Sequence, residues 1–242
     1  MCINKTTGNS RESSAQQTVP LMTRGISGST VKWIAVLSML VDHLAASGVL
    51  RLFYDSNDLY RLCRAFGRIA FPLFCFLLVE GHSYTSNRKR YLGRLFLFAC
   101  ISEIPFDLAF FGRLCYLSAQ NVFFTLFLGL LTLYGIDFLR KNSYKQWVWI
   151  PILLGMVASE LLQTDYGAFG VGLIVIYYWF RGMPWQRNLV SACACIWEPA
   201  AIAAVVPIQL YNGERGISWK YLFYLFYPLH LIVLFLIREI IR

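Results

Sequence analysis

The feature that most constrains this chain is the length of its apolar runs, each about 20 residues, which is what a helix needs to cross a hydrocarbon core. Of 242 residues, 57% are hydrophobic and 14% charged, more apolar surface than a soluble domain of this size can hide. The runs fall at 31–50, 69–86, 94–112, 119–139, 146–163, 167–181, 188–208 and 219–238. Each is expected to be a helix, because lipid leaves the backbone of an open chain no other way to satisfy its polar groups. The expected fold is all-α, a polytopic transmembrane bundle of about eight segments. The fifth and sixth are short and meet at Gln163-Thr164-Asp165-Tyr166-Gly167. They form either a tight helical hairpin or a pair of which one is re-entrant. Residues 31–242 read as a single transmembrane domain. Residues 1–30, rich in Ser, Thr, Gln, Asn and Gly and lacking an apolar core, read as a disordered cytoplasmic tail and not a cleaved signal peptide.

The net charge is +9. In a soluble protein that would point to nucleic acid, but here the basic residues lie mainly between apolar runs, so topology and lipid contact account for them and no nucleic acid is expected. With eight alternating spans, 15 Lys and Arg fall on the side of the N-terminus and 7 on the other. The positive-inside rule then places the chain in the cell (cytoplasmic) membrane with both termini cytoplasmic. The first outer loop breaks the trend with Arg51, Arg61, Arg64 and Arg68. Seven cysteines, an odd number without a CxxC, give neither a disulfide framework nor a metal site.

Ionisable groups inside a membrane cost about 2.5–3.5 kcal/mol each on insertion scales, so each is a functional candidate. Asp42 and His43 lie deep in the first span. Lys32 precedes His43 by eleven residues, which brings the helix round to within about 20° of the same face with a rise of roughly 16 Å. A cation at the mouth and a base deeper in suit an extended, negatively charged co-substrate. Asp42 and His43 themselves are about 100° apart, so Asp42 is free to pair with another helix. Glu80 and His82 in the second span, Glu103 and Asp107 on one face of the third, Asn121 opening the fourth, Glu160 and Asp165 near the fifth–sixth junction, Glu198 before Pro199, and His230 after Pro228 add to a set that implies a polar cavity.

Four stretches, in order, resemble the TraX family of conjugative pilin acetylation proteins. They are Val31-Lys32…Val41-Asp42-His43, Phe66-Gly67-Arg68-Ile69-Ala70-Phe71-Pro72-Leu73-Phe74, Asp165-Tyr166-Gly167-Ala168-Phe169-Gly170 and Phe226-Tyr227-Pro228-Leu229-His230-Leu231. Glu103-Ile104-Pro105-Phe106-Asp107 fits the group as well. The spacing from Lys32 to His43, with Arg88-Lys89-Arg90 and Arg94 after the second span, is also similar to the signature of the acyltransferase-3 superfamily of membrane enzymes. The resemblance implies a membrane acyltransferase that moves an acetyl group from acetyl-CoA, as co-substrate and not tightly bound cofactor, to the amino terminus of a pilin-like peptide.

Such chemistry needs a base, an oxyanion donor and cations for phosphates. His43 is the expected base. Asp42, Glu103 or Asp107 would orient it. Arg68 or Asn121 would serve the oxyanion or the thioester carbonyl. Lys32, Arg88, Lys89, Arg90 and Arg94 are the expected phosphate contacts, with the Arg140, Lys141 and Lys145 cluster beside them. Glu80, His82, Asp165, Tyr166 and His230 are candidate acceptor contacts. Two other readings share the polar interior: an O-acyltransferase acting on an envelope glycan or lipid, and a proton-coupled transporter. The transporter reading lacks its expected internal symmetry. A non-enzymatic assembly scaffold would not need Asp42 and His43 so deep.

Overall fold

The computed structural model describes residues 25–217 and 220–241, and among these the regular elements are helices. They are α1 (Gly28–Ala46), α2 (Val49–Phe53), α3 (Asn57–Gly67), α4 (Ala70–Tyr84), α5 (Arg88–Phe111), α6 (Val122–Lys141), α7 (Trp149–Leu161), α8 (Gly167–Trp179), α9 (Pro184–Ala194), α10 (Val205–Gln209) and α11 (Lys220–Ile241). Among the described residues, four helices are long and apolar enough to cross a membrane: Gly28–Ala46, Asn57–Tyr84, which joins α3 to α4, Val122–Lys141 and Tyr221–Ile241. The all-helical expectation holds, and several apolar helices fit a membrane protein. Of the expected tail, residues 1–24 lie outside the described residues. Its last part is ordered: Ile26 exchanges hydrogen bonds with Leu210 and Asn212, and the Gly28 amide donates to the Glu214 carbonyl.

Local chemistry sets the helix ends. Ser27, Asn87 and Asn121 each cap a helix, their side chains accepting from the amides of Thr30, Arg90 and Phe123. This satisfies N–H groups that have no partner within the helix. Gly112, with φ of 65°, ends α5 in the left-handed region that a side chain would resist. Small polar residues are buried within an apolar core, and large apolar residues also face outward. Ser38, Ser102, Thr125 and Ser159 are buried, while Leu37, Leu97, Leu131, Leu154 and Val233 face outward. Small residues let helices close up. A Cβ on Gly67 would overlap the side chain of Asp42, and one on Gly155 would overlap Thr132.

Contacts at the two ends of the bundle fix the helix directions. At one end Trp33 meets Phe223, and at the other Arg238 donates to the carbonyls of Ser47, Leu108 and Ala109. Helices α1, α5 and α11 therefore run the same way. Helix α4 runs against them and alongside α8, with Phe71 on Tyr166 at one end and Glu80 on Arg181 at the other.

The region 188–208, expected as one helix, is broken. Pro199 lacks an amide donor, and Glu198 before it leaves helical geometry, with φ of −123° and ψ of 74°. The chain runs out along α9, turns at Glu198 through a 3₁₀ segment, Pro199–Ala204, and returns along α10. Arg187 donates to the Ile208 carbonyl, and the Asn188 side chain donates to that of Gln209. This hairpin begins and ends at the same end of the bundle. Gly28 and Arg238 therefore lie at opposite ends, whereas eight alternating spans would have put both termini at one end. The change also moves Arg215 and Lys220 to the Lys32 end and Arg238 to the other, so the excess of cations stays where it was expected.

Candidate functional site

A cavity of about 610 Å³ opens at the Lys32 end, between α1, α4, α5, the start of α6 and α11. Lys32, Arg90, Arg94 and Arg215 stand in its wall, and Arg94 Nε is buried without an acceptor. Deeper in, the wall is apolar: Val36, Met39, Leu78, Phe123 and Leu126. Lys32, Val36 and Met39 follow one another on one face of α1 at steps of four and three, and the next step on that face is His43. On α1 the cavity wall runs from Lys32 through Val36 to Met39, and His43 lies one step further along that face, outside the cavity lining. Tyr227 closes its inner end.

Beyond Tyr227 two imidazoles meet. His43 Nδ1 is 2.7 Å from His230 Nε2, and His230 Nδ1 donates to the Phe226 carbonyl at 2.9 Å. A carbonyl can only accept, so Nδ1 of His230 carries its proton and its Nε2 carries a lone pair. His43 must then donate from Nδ1, which leaves His43 Nε2 as the basic nitrogen. The backbone of α11 thereby selects the tautomer of a side chain on α1. Phe110 and Tyr227 stand edge-on to the His43 ring at centroid distances of 5.2 and 6.0 Å.

The structure reassigns several expected partners. None of the three carboxylates expected to orient His43 does so. Asp42 faces α3 and accepts from Arg64 at 2.5 Å. Glu103 accepts from both the amide and the side chain of Asn121, whose Nδ2 also donates to the Ala99 carbonyl. Asn121 is fully engaged in capping α6 and has no donor left for an oxyanion. Asp107 accepts from the Tyr116 amide. Arg68, expected at the oxyanion, lies 3.5 Å from Glu198 and beside Tyr166. Tyr166 stacks on Phe71 at 3.5 Å in the turn between α7 and α8, next to the exposed Asp165. Asp42, Arg64, Arg68, Asp165, Tyr166 and Glu198 thus form one polar cluster at the end of the bundle opposite Lys32.

The basic run after α4 divides. Arg90 and Arg94 face the cavity, while Arg88 pairs with Asp137 at 2.9 Å and Lys89 borders a separate groove beside Lys141. His82 bonds Asp137 at 3.1 Å, and Asp137 also accepts from the Tyr178 hydroxyl. Glu80 reaches the cavity wall but is held by two bonds from Arg181. Glu80 and His82 are thereby tied to protein partners. Sequence reasoning missed Asp137, Arg181, Arg238 and the pairing of the two histidines. Asp137 carried the same signal as Asp42, a carboxylate inside an apolar run. The pairing carried none, since 187 residues separate His43 from His230.

The family model described as TraX protein matches residues 27–238. The chain belongs to the TraX family. Its matched region takes in every residue of the cavity and of the histidine pair. The chain is also similar to the probable fimbrial assembly protein FimC, serogroup H1, of Dichelobacter nodosus, at 30% identity over 251 residues, 88% of this chain and 97% of that protein. No solved structure matches this TraX-family chain.

Proposed function

We propose that this TraX-family protein is an integral-membrane acetyltransferase that moves the acetyl group of acetyl-CoA to the amino terminus of a pilin-like peptide. One observation carries the reading: a cavity lined by cations at its mouth runs along α1 toward a histidine whose free nitrogen is fixed as a base. Lys32, Arg90 and Arg94 would hold the phosphates of the donor by charge-assisted bonds. The apolar wall would take the pantetheine arm, with the thioester at the inner end. The acceptor amine attacks the thioester carbon while His43 Nε2 takes its proton. The tetrahedral intermediate then expels the thiolate, which recovers that proton as the C–S bond breaks. The products are the acetylated amine and free CoA. The relative's name, a fimbrial assembly protein, supports a pilus subunit as acceptor.

In this reading α1, α4, α5, α6, α7, α8 and α11 cross the cell membrane, and the α9–α10 hairpin enters from the Lys32 end and returns. The excess of cations makes that end cytoplasmic, where CoA is available.

The test uses purified full-length protein in nanodiscs, labelled acetyl-CoA and a peptide bearing a free pilin-like amino terminus. Label on the α-amine in equal amount to released CoA is expected. Label on a sugar or lipid hydroxyl instead would establish the O-acyltransferase alternative. No transfer to amine, sugar or lipid, together with unchanged envelope acetylation on gene deletion, would overturn the reading.

A further inference from the structure

Acyl transfer needs a donor for the oxyanion, and both groups that the sequence suggested for it are committed elsewhere: Asn121 to Ala99 and Glu103, and Arg68 to Glu198. One polar group at the inner end of the cavity remains. Tyr227 is 2% exposed; its hydroxyl oxygen lies against the Val122 amide, and its hydroxyl proton has no acceptor. Its ring lines the cavity and meets both histidines edge-on, with centroids 6.0 Å from His43 and 5.5 Å from His230. Phe123 packs edge-on against it at 4.9 Å. Phenylalanine would fill the same space, so what the hydroxyl adds is a polar atom at the cavity wall, held beside the Val122 amide with its own proton free.

Resting on the transferase reading above, we propose that Tyr227 is a catalytic residue that donates its hydroxyl hydrogen bond to the thioester carbonyl oxygen as that oxygen becomes an oxyanion. The position fits the task. The ring lines the cavity, where the thioester would arrive, and touches the histidine pair that carries the base. A preorganised donor there strengthens its bond only as charge develops, which lowers the barrier without tightening donor binding. No covalent bond to Tyr227 forms, and its proton stays on oxygen throughout. One turn along α11, His230 holds His43, so a single helix would position both the oxyanion donor and the base.

The experiment compares wild-type protein with Tyr227→Phe, which keeps the ring and removes the hydroxyl. Acetyl transfer to the peptide and binding of CoA are measured for both. The expected result is a fall in kcat of about 10²–10³-fold, the effect of deleting one oxyanion donor, with KM for acetyl-CoA and CoA affinity within about twofold of wild type. Wild-type transfer with Tyr227→Phe equally active would overturn this role and leave the transferase reading standing. A lower kcat accompanied by an equal loss of CoA binding would also overturn it, marking Tyr227 as a wall of the donor site. A wild-type protein that transfers nothing would remove both the role and the reading beneath it.

Discussion

His43 and His230 show how a single proton position can depend on the backbone of a distant helix. The Phe226 carbonyl orients His230, and His230 orients His43. Two variants separate their roles. His43→Ala removes the base and should lower acetyl transfer by about 10²–10⁴-fold while the protein still inserts and folds; full activity in a well-expressed variant would sink the assignment. In the proposed reading His230 acts through its hydrogen bond to His43, as a positioning residue. His230→Ala should lose less activity than His43→Ala, and His230→Gln, whose side-chain oxygen can still accept from His43, should recover part of that loss. Equal activity in the two His230 variants would mean that the hydrogen bond does not matter. The acid–base pair Asp42-His43 was legible in the sequence as a functional signal. Its division between two clusters was not, because side chains adjacent in a helix face different neighbours.

Among the elements, α5 carries the clearest test of the donor site. Its first turns present Arg90 and Arg94 to the cavity and Arg88 and Lys89 away from it. Arg90→Glu with Arg94→Glu should raise KM for acetyl-CoA at least tenfold, from the loss of charge-assisted contacts worth about 1.5–3 kcal/mol each. Arg88→Glu with Lys89→Glu makes the same change of charge and should leave that KM nearly unchanged. Equal effects from the two pairs would mean that the run acts only through net charge or topology. A second element-level expectation concerns the contact of α1 with α3. Gly67→Ala places a Cβ against Asp42 and should destabilise the protein by about 1–3 kcal/mol, as overpacking does. It is read as a lower unfolding temperature in detergent, and an unchanged value would deny so close an approach. The sequence shows the cluster of cations at the start of α5, but only the packing decides that Arg90 and Arg94 face the cavity.

For the whole molecule, the parallel course of α1 and α11 makes a topological prediction. Reporters fused before residue 28 and after residue 238 should report opposite sides of the membrane, with the loop around Asn142 on the side of residue 28. Both ends on one side would show that the α9–α10 hairpin crosses. The sequence by itself determined the helical class, the membrane character, the TraX-family resemblance and the face of α1 that runs from Lys32 to His43. These follow from run lengths and from a helical period, which are local properties of the chain. It also held the signal for the break at Glu198-Pro199, although a mean apolarity sustained from 188 to 208 masked it. Only the tertiary structure decided that His230 and not a carboxylate holds His43, that Asn121 and Glu103 serve a helix cap, and that Gly28 and Arg238 lie at opposite ends of the bundle. Each of these depends on which helix packs against which. In an apolar surround, buried polar groups bond to whichever partner that packing brings within reach, and nothing in the linear spacing of the residues encodes that choice.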